Sequence, residues 1–138
     1  MDLKQAIAEN GNPVRLYTCN GSDSQNWILD SYGRLRSQVD ENYCIEGGRD
    51  GNLYQKLFVY KCNDALHQRW TVTDDGRIKN QGHGKYIGAG SGCGGVASER
   101  VLELHSDMSG NDRQNCRDQQ RWQTSIDSAG DVVRSIFH

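Results

Sequence analysis

Gln25-Asn26-Trp27, Gln68-Arg69-Trp70 and Gln120-Arg121-Trp122 are one tripeptide printed three times, and together they hold all three tryptophans of this 138-residue chain. Trp27 and Trp70 stand 43 positions apart, Trp70 and Trp122 stand 52 apart. A period of that size marks a repeated supersecondary unit, and it has to be read before any local element. The flanks repeat too. A strand-like run precedes each Trp: Val14 to Cys19, Leu57 to Cys62, Leu102 to Asp107. After each comes an apolar pair or single aliphatic residue, a polar turn with Gly (Gly33, Gly76, Gly130) and a second short strand.

Composition agrees with many short strands. The hydrophobic fraction is 35%, with 16 Gly and one Pro, which suits turns and strands rather than long amphipathic helices. The pattern predicts about eleven strands, near 14–18, 27–29, 34–36, 43–45, 56–60, 69–73, 77–79, 86–88, 101–105, 121–126 and 132–136, with a helical turn or two over residues 3–9. The fold class is therefore all-β, and no unit of four short strands buries its own face. Three units closing about a common axis do. The tryptophans belong in that shared core, and each Gln of the tripeptide is expected to tie down its own loop with its amide.

The net charge of −2 is evenly spread, so no basic patch offers the counterion release that nucleic acid or heparin binding needs. No apolar run reaches membrane-spanning length, and no secretory signal opens the chain. Met1 lies so close to the first repeat that it reads as a start replacing upstream sequence. Of five cysteines, Cys44 and Cys62 fall at equivalent ends of a hairpin-like unit and are expected to pair. Cys93 with Cys116 is a second candidate, leaving Cys19, whose partner would fall before Asp2. Reduced, buried thiols remain the alternative; the oxidised state places the protein outside the cell.

These residues resemble the ricin-type β-trefoil lectins, whose hallmark is a threefold Gln-x-Trp. The likeness spans essentially the whole chain; the run from Asn10 to Trp27 follows the family pattern throughout, and Cys44-Ile45-Glu46 resembles the family's Cys-Leu-Asp opening. The resemblance implies one trefoil domain over residues 1–138. Its repeats are expected over about 1–27 plus 128–138, 28–70 and 71–127. The first unit lacks its opening strand, and the C-terminal strand is expected to complete that repeat. It further implies up to three shallow sugar sites. In each, an Asp after the opening strand accepts from two sugar hydroxyls, an aromatic ring stacks on the sugar, and polar residues complete the set. Carried over, the first site is Asp2, Arg15, Tyr17, Ser24 and Gln25. The second is Glu46, Tyr60, His67 and Gln68, with Phe58 at the polar position. The third has Gly88 in place of the carboxylate, and His105 in place of the aromatic, near Glu103 and Gln119. Against this, Asp2 also reads as an N-cap of the short helical turn, and Tyr17 and Tyr60 as ordinary rim packing.

The function implied is binding of cell-surface glycans ending in galactose or N-acetylgalactosamine. Membrane contact would come only through glycans or a parent toxin such as a vibrio-type pore-forming haemolysin. A sugar-blind protein-interaction trefoil and the carbohydrate module of a secreted glycosidase are the alternatives. No catalytic constellation is visible: the four histidines are dispersed and no pair of carboxylates is set across a cleft. No cofactor or metal is expected; the run Ser106 to Asp112 lacks the spaced ligands of a calcium loop.

Overall fold

The structure is a computed structural model. It describes residues 1–17, 21–48, 51–52, 55–74, 76–88 and 101–106, together with the backbone of two C-terminal strands. Among the described residues twelve strands follow one another: β1 (Asp2–Leu3), β2 (Val14–Arg15), β3 (Trp27–Leu29), β4 (Leu35–Ser37), β5 (Tyr43–Glu46), β6 (Phe58–Lys61), β7 (Trp70–Val72), β8 (Ile78–Asn80), β9 (Tyr86–Gly88), β10 (Glu103–His105), β11 (Trp122–Asp127) and β12 (Gly130–Ser135). Three short 3-10 turns, at Lys4–Ala6, Asp23–Gln25 and Leu66–Gln68, are the helical segments among the described residues.

Strand register exposes the threefold relation. The first two strands of each unit pair antiparallel with Asp2 opposite Arg15, Glu46 opposite Phe58 and Gly88 opposite Glu103. The last two pair with Trp27 opposite Ser37, Trp70 opposite Asn80 and Trp122 opposite Ser135. A β-trefoil of three four-strand units results. The opening strand of the first unit is Asp2–Leu3, which two residues of sequence did not reveal. Each Trp begins the third strand of its unit, so the units divide between Ser37 and Tyr43 and between Asn80 and Tyr86, not at Trp27 and Trp70. The C-terminal strand, last of the third unit, also pairs with the third strand of the first, with Val133 opposite Trp27 and Asp131 opposite Leu29.

The units close on one another through a ring of three backbone hydrogen bonds. Val14 N–H donates to Leu57 O at 3.1 Å, Leu57 N–H to Leu102 O at 2.8 Å, and Leu102 N–H to Val14 O at 2.9 Å. Around it the core is layered in equivalent sets: Val14, Leu57 and Leu102, then Leu16, Val59 and Leu104, then Met1, Ile45 and Ile87, all buried. Alternation along a strand sends these side chains inward and their neighbours outward. Trp27 and Trp70 fill the base, and their indole N–H groups donate to Met1 O (3.1 Å) and Ile45 O (3.0 Å), carbonyls at matching positions. Trp122 lies in β11, its side chain outside the described residues.

Gln68 does what the tripeptide's Gln is expected to do. Its Oε1 accepts Asn63 N–H at 2.9 Å and its Nε2 donates to Lys61 O at 3.0 Å. Cys44 and Cys62 form the expected disulfide; Cys19, Cys93 and Cys116 lie outside the described residues. In the turn after β3, Asp30 accepts N–H groups of Tyr32 and Arg34 on one oxygen, and Arg34 Nε and Arg36 Nε on the other. Burial alone would raise its pKa. The bonds from Arg34, Arg36 and Tyr32 outweigh it and hold the carboxyl below its usual 3.8.

Two perturbations test this frame. Trp70→Ala removes an indole filling the base and strips Ile45 O of its donor, an expected loss of about 3–5 kcal/mol read as a shift in the urea midpoint. Replacing Cys44 and Cys62 together by Ala opens a closed loop with a sequence separation of 18. The expected loss is about 3 kcal/mol by the chain-entropy argument.

Candidate functional site

The alternation that buries Val14 and Leu16 turns Arg15 and Tyr17 outward, beside Asp2 on the neighbouring strand. Ser24 comes to the same place from the 3-10 turn before Trp27. The four line an open depression of about 430 Å³, walled by Gln5, Ala6, Ser22, Asp23 and Val39. Asp2 is buried, and each of its oxygens has one partner: Ser24 Oγ donates to Oδ1 at 2.9 Å and Arg15 Nε to Oδ2 at 3.0 Å. Lone pairs are left over on both oxygens for incoming hydroxyls. The Arg15 guanidinium also lies over the Tyr17 ring, 4.6 Å from its centroid. Asp2 does not cap the 3-10 turn, whose N-cap is Leu3 without a side-chain bond. Gln25 is buried and outside the lining of the depression. Sequence reasoning missed one part of the wall: Gln5 and Ala6 hold left-handed backbone, with φ of 56° and 55°. Such strain in non-glycine residues is stored where surrounding structure imposes it.

The second depression, about 350 Å³, gathers Glu46, Phe58, Tyr60 and His67, with Gly48, Asn63 and Ala65. His67 Nε2 lies 2.6 Å from Glu46 Oε1. The residue just before the repeated Gln thus holds the carboxylate in both units, Ser24 in one and His67 in the other. The longer Glu reaches His67 across the extra methylene. Tyr60 is 42% exposed and available for stacking, and no cation lies over it among the described residues. Gln68 is 0% exposed, its amide committed to its own loop as described above. Asn63 was not singled out, although Asn20 at the same repeat position carries the signal.

The third position is filled. A Cβ at Gly88 would collide with the His105 imidazole, which occupies the space a carboxylate side chain would take. His105 is 1% exposed, so it does not stand at the rim as the aromatic was expected to. Glu103 is buried as well, its Oε1 paired with Lys56 Nζ at 2.9 Å. Gln119 lies outside the described residues.

Comparison with known sequences agrees with this geometry: residues 1–122 match the ricin-type beta-trefoil lectin domain. The chain belongs to that family. No curated protein matches it significantly. Solved structures show the same fold. A non-toxic homologue of type II RIPs from Momordica charantia (bitter gourd), in complex with alpha-methyl-D-galactoside, aligns with a TM-score of 0.71 at 18% identity, over 98% of this chain and 43% of that one. Agglutinin from Abrus precatorius aligns at 0.66 and 22% identity, over 77% and 39%. The Vibrio vulnificus hemolysin/cytolysin beta-trefoil lectin with N-acetyl-D-lactosamine bound aligns at 0.60 and 22%, over 94% and 80%. The chain spans less than half the length of the two plant chains.

A half-buried imidazole, His83, packs near the second depression of this lectin domain. Hypothetical Cβ atoms on Gly47 and Gly51 would press on His83, so its ring packs directly against their backbone. Burial lowers its pKa below the usual 6.5; a Gly47 backbone hydrogen bond opposes this, while Lys85 and His67 add to it. His83 Nδ1 accepts Lys85 N–H at 3.2 Å, so charging the ring costs that bond. The folded state therefore favours neutral His83. Its contribution to stability is complete above about 6.5 and is lost as pH falls through the lower folded value. We expect unfolding midpoints followed from pH 7.5 to 5 to fall, and His83→Gln to flatten that dependence.

Proposed function

We propose that this lectin domain binds glycans ending in galactose or N-acetylgalactosamine, chiefly through Asp2, Arg15, Tyr17 and Ser24. The observation that carries the reading is the buried Asp2 carboxylate, oriented by Ser24 and Arg15 at the edge of a sugar-sized dent beside an aromatic ring. Two adjacent sugar hydroxyls donate to such a carboxylate through charge-assisted bonds, and Tyr17 meets the sugar's C–H face once Arg15 yields it. Glu46, Tyr60 and His67 form the second, weaker site; Gln25 and Gln68 shape the loops beneath both. The domain works as a non-catalytic binding module.

The ligands solved with two structural neighbours, a galactoside and N-acetyl-D-lactosamine, support galactose as the first sugar to test. Shallow sites of this kind bind at about millimolar strength, near −4 kcal/mol, so attachment to a cell surface draws on several sites or on a larger parent. The Vibrio neighbour, four-fifths of which this chain covers, favours a secreted toxin as that parent, with glycans bringing it to the membrane. The disulfide suits an extracellular setting.

A protein-interaction role without sugar is favoured by one observation, the Arg15 side chain that already engages both Asp2 and Tyr17. Titration of the chain with methyl galactoside decides. Asp2→Ala and Tyr17→Ala are each expected to weaken binding about tenfold or more, and Glu46→Ala to weaken it less. Absence of binding to any galactose-terminated ligand would sink the lectin reading.

A further inference from the structure

We propose that a cleft at the seam between the first and second units, between residues 29–33 and 69–72, binds an anionic sugar substituent through Arg69 and Tyr32. The substituent is a sulfate ester or a carboxylate. The cleft measures about 520 Å³ and shares no lining residue with either depression described above. That its anion is carried on a sugar rests on the lectin reading.

The walls are held rigidly. Trp70 N–H donates to Gly33 O at 2.7 Å. Gly33 has φ 86°, and a Cβ there would stand 2.8 Å from Trp70 O and 2.9 Å from Gln81 Nε2. Gln81 Nε2 in turn donates to Trp70 O. On this floor Tyr32 stands 60% exposed, the most exposed large hydrophobic side chain described. The Arg34 and Arg69 guanidinium carbons lie 5.0 and 5.7 Å from its ring centroid.

Charge is unbalanced there. Arg34 and Arg36 share Asp30, and Arg34 lies 3.8 Å from the exposed Asp64. Arg69 makes no ion pair or side-chain hydrogen bond with any described residue, and its Nε is buried without an acceptor. Nε is closed off from solvent, so an oxyanion in the cleft pairs with the terminal nitrogens of this guanidinium, in the bidentate geometry that sulfate and carboxylate share. The exposed part of the Tyr32 ring offers an apolar contact to the sugar that carries it. Repeat alignment shows the combination once. Where Tyr32 stands, the second unit has Asp75 and the third Ala129; where Arg69 stands, the first has Asn26 and the third Arg121. In sequence, then, the seam facing Arg121 has an acid in the aromatic's place, and the seam facing Asn26 has no cation.

Isothermal titration of the chain with galactose 6-sulfate, glucuronic acid and galactose, at low and physiological salt, tests this. The acidic sugars are expected to bind about tenfold tighter than galactose and to weaken with salt. The stronger of the two identifies the anion's source. Arg69→Gln should bring the charged ligands down to the level of galactose, Arg69→Lys should retain part of the preference, and Tyr32→Ala should weaken the charged ligands several-fold. Tyr32 is exposed, so its variant keeps the test open should Arg69→Gln unfold. Galactose binding is expected to follow Asp2 and Tyr17 instead, and to ignore both seam variants. If galactose fails while acid binding tracks Arg69, the first-unit site falls and the seam stands. Acidic sugars binding no tighter than galactose, a preference that survives Arg69→Gln and Tyr32→Ala, or inorganic sulfate binding as tightly as the sulfated sugar would each overturn the proposal.

Discussion

Three backbone hydrogen bonds passed round a ring, Val14 to Leu57 to Leu102 and back to Val14, fix the geometry from which the rest follows. Each unit, at or just before its second strand, gives one N–H and receives one through its C=O at the axis, so no unit can shift without leaving a buried backbone group unpaired. That constraint sets the phase of the alternation. With Val14, Leu57 and Leu102 locked inward, Arg15 and Phe58 turn away from the core, and so do Tyr17 and Tyr60; Glu103 and His105 hold the matching positions of the third unit but are buried there. The outer sites are a consequence of the core's register.

Because the scaffold is shared, the three outer positions show how side chains alone change a site. Asp2 and Glu46 each present a carboxylate, steadied from the residue ahead of the repeated Gln, Ser24 or His67. The surroundings then diverge. Arg15 is a cation that competes for its carboxylate and covers its aromatic, whereas Phe58 leaves Tyr60 uncovered. In the third unit, loss of the side chain at Gly88 is matched by His105 turning in to fill the volume. Packing at native density does not tolerate a void of that size, so a site once emptied of its carboxylate closes.

The fold was legible because its signal is long-range and redundant: three Gln-x-Trp tripeptides, each with a strand before it and a Gly turn after it. Individual features were legible in proportion to their length. Asp2–Leu3 escaped as a strand because two residues carry no period; only the register against Val14–Arg15 reveals it. The family resemblance named Asp2, Arg15, Tyr17 and Ser24 as one set, and strand register and alternation are why they share a face. It did not reveal which of them bond, since that depends on rotamers and on distances of a few tenths of an ångström. His105 was misjudged as a rim aromatic because its direction depends on the absence of a side chain at Gly88, a residue on another strand. Tyr32 and Arg69 passed unnoticed for a different reason: they meet only where two units abut, and no single repeat contains both.

Seams and outer faces thus answer to different pressures. An outer site is built within one unit, from residues whose spacing every copy of the repeat preserves, and its ancestry stays visible when its chemistry is gone. A seam is built from the turn of one unit and the third strand of the next, held here by the bond from Trp70 N–H to Gly33 O, the antiparallel bridge between Arg34 and Arg69, and Arg34 reaching Asn63 O. Its floor is as rigid as the core, while its side chains, Tyr32 and Arg69 here, are free to vary independently of the sugar-site pattern. On a rigid frame a new contact costs little ordering entropy, because the backbone beneath it is already immobile. A trefoil whose repeat sites have weakened therefore keeps a second set of positions from which recognition can be rebuilt.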